Sequence, residues 1–149
     1  MSQHHTDITE PLIKNLLEDK NLAFVATLMK DGSPQITPTW IDIQGNEIFI
    51  NTALGRVKQK NVTRDPRIAV SIADRNNPYH MVTLRGEVID QITGELADSH
   101  IDKLAKKYLN KDKYPFRAPG EKRVILKVKP TRVAYTQNPL NICSTMNRM

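Results

Sequence analysis

Between Asn51 and Asn61 the chain reads Asn51-Thr52-Ala53-Leu54-Gly55-Arg56-Val57-Lys58-Gln59-Lys60-Asn61. A strand ends there on polar residues, turns at a glycine and gives way to a short polar helix, Gly55 to Asp65, which Pro66 stops by pushing the residue before it out of the α region. Such a turn exposes unpaired backbone N–H groups at the positive end of the helix, and Arg56 and Lys58 add two cations within the same first turn. Thr52 contributes a hydroxyl from the strand end. Asn61, one turn beyond Lys58, falls on the same helical face and can orient the lysine or touch a ligand. The chemistry is phosphate binding: a charge-assisted hydrogen bond contributes ~1.5–3 kcal/mol, so two or three hold a phosphorylated ligand at micromolar strength. On spacing alone, a solvated basic helix remains the alternative. Lys60, Arg64 and Arg67 extend the positive surface toward any longer anionic tail.

A second feature is a pair of prolines, Pro34 and Pro38, in an otherwise alternating strand. Proline cannot donate to a ladder and is confined to edges or bulges. The backbone of Pro38, Thr39 and Trp40 is therefore partly free, one hairpin away from the phosphate turn, and can meet the polar edge of a flat heterocycle. The competing reading is that Pro38 protects an edge and Trp40 fills the core. The common catalytic signatures are missing: HExxH, GxSxG, GxxxxGK[ST] and GxGxxG do not occur, and Cys143 has no second cysteine. His4 and His5 lie in a polar N-terminal tail, His100 on a helical pattern and His80 at a strand start, without partners at metal-ligand spacing, so no metal is expected.

The elements that position these residues follow from periodicity. Thr9 is placed to cap a helix with Leu12, Ile13, Leu16 and Leu17 on one stripe. Leu22 to Leu28 reads as a buried strand turning at Lys30-Asp31-Gly32-Ser33. Pro34 to Asp42 is the second hairpin arm, and Gln44-Gly45-Asn46 turns it into Glu47 to Thr52. Arg67 to Asp74 and Met81 to Asp90 are a fourth and fifth strand, joined by Asn76-Asn77-Pro78-Tyr79. Gly94 to Leu109, with Ala97, Ile101, Leu104, Ala105 and Tyr108 at three- and four-residue steps, is an amphipathic helix, and Val124 to Tyr135 is the last strand. Six mostly antiparallel strands with short flanking helices predict a mainly β, α+β fold, a small closed or split barrel, since closure removes exposed edges.

With 149 residues, 39% hydrophobic, the chain is large enough for one core without disulfides or a structural metal. No repeat or linker divides it, which predicts one domain over residues 1–149 with tails at about 1–8 and 137–149. No apolar run spans a bilayer and no leader pattern is evident, so an unprocessed, non-membrane, cytoplasmic protein is expected. The net charge of +6 points to anionic company. Nucleic acid is disfavoured, because single-strand readers need exposed aromatics and the aromatic content is only 5%.

In order and spacing the chain resembles the pyridoxamine 5'-phosphate oxidase-like, flavin-binding split-barrel superfamily, and within it the small deazaflavin-dependent oxidoreductases. The resemblance covers roughly Leu12 to Val133. It is carried by Phe24-Val25-Ala26-Thr27-Leu28 with Asp31-Gly32-Ser33-Pro34, by Pro38-Thr39-Trp40, by Arg56 to Asn61 with Asp65 to Val70, and by Val82-Thr83-Leu84-Arg85-Gly86-Glu87-Val88. It implies a homodimer with a cofactor in a groove between subunits. Arg56 and Lys58 would hold the cofactor phosphate together with Thr52 and Asn61. The backbone around Pro38, Thr39 and Trp40 would line the ring, and Asn77-Pro78-Tyr79-His80 would reach in from the other chain. Gly86 reads either as a close backbone approach or as a bulge.

Pyridoxamine phosphate oxidases carry a C-terminal Arg-x-His pair for their substrate; here Arg132 is followed by Val133 and Ala134, which argues against vitamin oxidation. The Tyr79 loop and the basic Arg56–Arg67 segment look like the deazaflavin branch, whose coenzyme F420 ends in a polyglutamate tail, with FMN as the alternative. The implied activity is hydride transfer to an unsaturated small-molecule acceptor, with the coenzyme supplying the chemistry, so missing catalytic dyads are expected. No general acid is assigned; Tyr79 and His80 are the nearby candidates. An FMN-dependent flavin reductase or a non-enzymatic carrier or sensor of the same cofactor is the alternative.

Overall fold

A computed structural model describes residues 7–137. In chain order the elements are α1 (Pro11–Glu18), β1 (Ala23–Leu28), β2 (Pro34–Thr39), β3 (Ile41–Gln44), β4 (Glu47–Ala53), α2 (Val57–Arg64), β5 (Arg67–Ala73), β6 (Met81–Thr93), α3 (Glu95–Leu109) and β7 (Arg123–Thr136). The seven strands form one antiparallel sheet in the order β2-β1-β5-β6-β7-β4-β3. The expected class holds, with seven strands in place of six. The predicted arm Pro34 to Asp42 is two strands, because the chain leaves its ladder with β1 after Thr39 and joins β4 from Ile41. Only Trp40 separates those residues, yet β2 and β3 sit at opposite edges of the sheet. The sheet must therefore roll until its edges meet, without a ladder between them, which is the split of a split barrel. Both prolines fall in β2, the edge strand where their missing N–H groups cost no ladder bond.

The barrel interior is filled by alternate residues of its strands: Val25, Ile68, Val70, Ile72, Val82, Leu84, Val124, Leu126 and Val128, with Ile48 and Ile50 of β4. Ile13, Leu16 and Leu17 of α1 close one end together with Ile8, which the sequence reading leaves in the tail and which is fully buried. Thr9 does not cap α1. Its hydroxyl donates to Asp7 Oδ1 at 2.6 Å, while Glu10 stands at the N-cap and Pro11 opens the helix, where a missing N–H is no loss. Leu12, expected on the apolar stripe, is exposed. A second small cluster of Phe49, Ala97 and Ile125 packs α3 onto the outside of β4 and β7. β4 is therefore buried on both faces and shows no alternation. Lys107 on α3 donates to the carbonyls of Leu17 and Ile41 at 3.0 Å each, and burial lowers its pKa to about 8. Among the described residues, no helix is long and apolar enough to cross a membrane. His4, His5 and Cys143 lie outside the described residues.

β6 runs three residues beyond its expected end at Asp90 and pairs with β7 through register shifts at Arg85/Gly86 and Val88/Asp90. Both readings of Gly86 therefore hold: it sits at an irregularity, and a Cβ placed there would lie 2.5 Å from the Lys129 carbonyl oxygen. Because the obstacle is backbone, the strands must separate to accept any side chain. Gly86→Ala is expected to cost about 1–3 kcal/mol and to lower the melting temperature by roughly 2–12 °C in a circular-dichroism melt.

Candidate functional site

One groove of about 670 Å³ gathers most of the residues singled out in the sequence. Pro38, Thr39 and Trp40, at the crossing from β2 to β3, form one side, and Asn51, Thr52, Arg56, Val57 and Lys58, where β4 passes into α2, form another. The turn between β4 and α2 needs Gly55, whose φ of +85° an L side chain rarely adopts. The Gly55 N–H is taken up by Gln59 Oε1 at 3.0 Å, and Arg56 stands at the N-cap. The first amides of α2, at Val57 and Lys58, have no intrahelical acceptor and lie on the groove.

The two cations differ in their surroundings. Arg56 is half exposed and donates from Nη2 to Glu121 Oε2 at 3.0 Å. Lys58 is half-buried and has no partner among the described residues. Burial, and then the neighbouring Arg56 charge, lower its pKa below the ordinary lysine value. A half-buried ammonium without an anion is costly to hold, and an anionic ligand relieves that cost.

Behind these side chains runs a buried polar chain. Asn51 spends one amide hydrogen on the Ala97 carbonyl (2.9 Å) and the other on His100 Nδ1 (3.1 Å), and its oxygen accepts from Arg123 Nε at 2.8 Å. With Nδ1 accepting, the His100 hydrogen sits on Nε2, which lies 3.3 Å from Asp42 Oδ2 on a line too poorly directed for a full hydrogen bond. Burial raises the Asp42 pKa, but the contacts from His100 and Lys103 outweigh it and hold the carboxyl well below the usual range. At the other end Arg123 Nη1 donates to Glu121 Oε1 at 2.6 Å, so one carboxylate holds both Arg123 and Arg56. Burial acts to raise the Glu121 pKa, and the two arginines hold it below its ordinary value.

The remaining wall is aromatic. Trp40 stacks on Tyr108 (centroids 5.3 Å apart, planes 7° from parallel) and meets Tyr114 edge-on at 5.9 Å; Tyr114 in turn meets Phe116. Tyr108 is a fixed backing for the indole, since its hydroxyl donates to the Asn21 carbonyl at 2.8 Å and accepts from Ile41 N–H at 3.3 Å. Trp40 thus faces the groove and does not fill the barrel core. Phe116 is 66% exposed at the rim, and the Thr37 hydroxyl, also on the groove, is buried without a hydrogen-bond partner among the described residues.

Four predicted site residues stand elsewhere. Asn61 is buried against β1: its amide donates to Thr27 Oγ1 at 3.0 Å and its oxygen accepts from Arg64 Nη2 at 2.9 Å. Three residues along a helix turn the side chain by about 60° short of a full revolution, enough to carry Asn61 from the Lys58 face into the interior. Pro78, Tyr79 and His80 lie on the loop between β5 and β6, off this chain's groove. The His80 ring is held by Tyr135 Oη at 2.9 Å and Asp74 at 3.5 Å, while the Tyr79 side chain is exposed. Sequence reasoning missed Arg123, Glu121, Tyr114 and Phe116. Two aromatic residues in the polar stretch between α3 and β7 were a readable signal; Glu121 and Arg123 carried none beyond lying at the start of an apolar strand.

The sequence model of the family described as pyridoxamine 5'-phosphate oxidase matches residues 9–137. No curated protein matches the chain. Among solved structures, one named "F420 Reductase" is 29% identical, with a TM-score of 0.71, covering 81% of this chain and 94% of its own. A conserved hypothetical protein from Mycobacterium tuberculosis is 18% identical with a TM-score of 0.62, covering 95% of this chain and 94% of its own. The General Stress Protein 26 from Bacillus anthracis is 14% identical with a TM-score of 0.60, covering 87% and 94%. The rolled seven-stranded sheet and the family match together place the chain in the pyridoxamine 5'-phosphate oxidase family, with its split-barrel fold.

Proposed function

We propose that the groove binds the phosphate and ring of a flavin-like coenzyme, the deazaflavin coenzyme F420 first and FMN second, and that the protein is a cytoplasmic oxidoreductase acting on an unsaturated small-molecule acceptor. The observation that carries this is Lys58, a half-buried cation without a counter-charge among the described residues, beside Arg56 and on one groove with an aromatic wall. The residues present fit such a coenzyme. Lys58, Arg56 and the first amides of α2 receive the phosphate, Trp40 and Tyr114 give the ring an apolar flank, and the unpaired Thr37 hydroxyl supplies a polar contact. When bound, the coenzyme supplies the hydride; the protein supplies position and electrostatics. Similarity to the solved F420 reductase supports the first choice.

FMN is kept on a specific observation. Of the cations expected to meet a polyglutamate tail, Arg64 donates to the Leu28 carbonyl and to Asn61, and Arg67 is paired with Asp65, which leaves Lys60. A homodimer completes the proposal. Phe24 and Ile36, diagonal neighbours across the β1–β2 ladder and 48% and 62% exposed, present an apolar sheet face for a second copy, and the family resemblance implies that Pro78, Tyr79 and His80 of that copy reach the groove. Tyr79 is then the freer proton donor, because both ring nitrogens of His80 have partners.

Titration of the purified protein with the deazaflavin coenzyme and with FMN, followed by absorbance and fluorescence, tests the reading directly; binding of neither compound rejects it. Lys58→Ala or Arg56→Ala is expected to weaken binding by about 10- to 100-fold. Lys58→Met, which removes a desolvated charge, is expected to leave the melting temperature unchanged or higher while losing the same affinity. Only protonated Lys58 attracts phosphate, so affinity falls as pH rises through the lysine's lowered pKa, and Lys58→Met abolishes that decline. Dilution to monomer, followed by analytical ultracentrifugation with absorbance of the bound chromophore, is expected to release the coenzyme. Steady-state turnover with an acceptor distinguishes an enzyme from a carrier.

A further inference from the structure

Arg123 is the most buried charge on the groove, its side chain 2% exposed, and the phosphate reading does not use it. Its Nε and Nη1 are spent on Asn51 and Glu121, while Nη2 has no partner among the described residues. Its place is fixed from both ends: it shares the Glu121 carboxylate with Arg56, and its guanidinium carbon lies 5.2 Å from the centre of the Tyr114 ring, which meets Trp40 edge-on. Arg123 thus joins the cationic end through Glu121 and the aromatic wall through Tyr114, so a ligand held at both ends lies beside it. Nη2 is not among the fully buried unpartnered atoms, so its unspent N–H groups open on the groove, where an oxygen acceptor can reach them.

Resting on the proposed cofactor reading, we infer that Arg123 Nη2 is a binding donor to an uncharged oxygen in the phosphate-free part of the ligand, the polyol chain or the near carbonyl edge of the ring. The groove then recognises its ligand at three points, and Arg123 senses the presence of an oxygen-bearing linker and not the charge of the phosphate.

The test compares ligands with and without phosphate: FMN against riboflavin, and the deazaflavin coenzyme against its phosphate-free ribityl chromophore, by fluorescence titration. Arg123→Lys keeps the charge beside Glu121 and removes Nη2. It is expected to weaken both members of a pair by the same factor, about tenfold or more. Lys58→Ala is expected to weaken only the phosphate-bearing member. The inference is overturned if Arg123→Lys affects neither ligand, or if it affects only the phosphate-bearing one. Failure of the wild-type protein to bind any of the four compounds overturns the cofactor reading and this inference together; wild-type binding with an indifferent Arg123→Lys overturns this inference alone.

Discussion

The groove is organised around an imbalance of charge in a place partly shielded from water. Arg56, Lys58 and Arg123 converge on it, and one carboxylate, Glu121, answers two of them. Lys58 is left over, with its pKa pushed down by burial and by Arg56. Folding alone has no use for this arrangement, since a desolvated ammonium near a like charge lowers stability and an apolar residue would relieve it. Structures keep such groups where a ligand brings the missing charge, and perturbed titration inside a cleft marks functional sites more often than structural ones. The imbalance also sets polarity: the anionic part of any ligand is drawn to the α2 end, so its apolar part lies toward Trp40.

A single helix holds the walls of the groove apart. Ala97 and His100 of α3 fix the Asn51 amide, and through it Arg123; Asp102 accepts from the Tyr114 N–H at 2.8 Å and from Arg117 at 3.1 Å, which anchors the loop bearing Tyr114 and Phe116; Tyr108 backs the Trp40 indole. These contacts run from Ala97 to Tyr108 along α3, on the order of 17 Å. The helix is in turn tied to the barrel by Lys107, which bonds α1 and β3. The cationic end and the aromatic end therefore share one rigid support, and their spacing is a property of the fold and not of mobile loops.

What the sequence made legible follows from which interactions are local. Strand alternation, the glycine turn at Gly55 and the cations on either side of Val57 depend on neighbours along the chain, and the structure brings them to one groove with Pro38, Thr39 and Trp40. The break at Trp40 was not legible, because two edge strands that continue one another look like one strand until the sheet rolls. Asn61 failed for a related reason: helical spacing placed it near Lys58 but could not show that Thr27 and Arg64 waited on the inner side. Arg123 was invisible because its meaning comes from Asn51, 72 residues away, and from Tyr114 in a loop without periodicity. Gly86 showed both of its features in outline, and only the register with Lys129 and Pro130 showed that they coincide.

Membership of the family fixes the barrel, and the proposed choice between coenzymes rests on this chain's own side chains. In the proposed reading, a phosphate end made of Lys58, Arg56 and helix amides would accept any phosphorylated flavin alike, because it reads charge and not the ring. Discrimination must come from where the two candidates differ, in the ring itself and beyond the phosphate. At the ring, Trp40 and Tyr114 offer surface and little directional chemistry, so selection there falls to Thr37 and to what a second copy would bring in Tyr79. Beyond the phosphate, Arg64 and Arg67 are held by their own chain, and an acidic tail gains their charge only by breaking those bonds. A tail met by Lys60 alone gains about 1 kcal/mol or less in exposed surroundings, which makes the ring end the stronger selector.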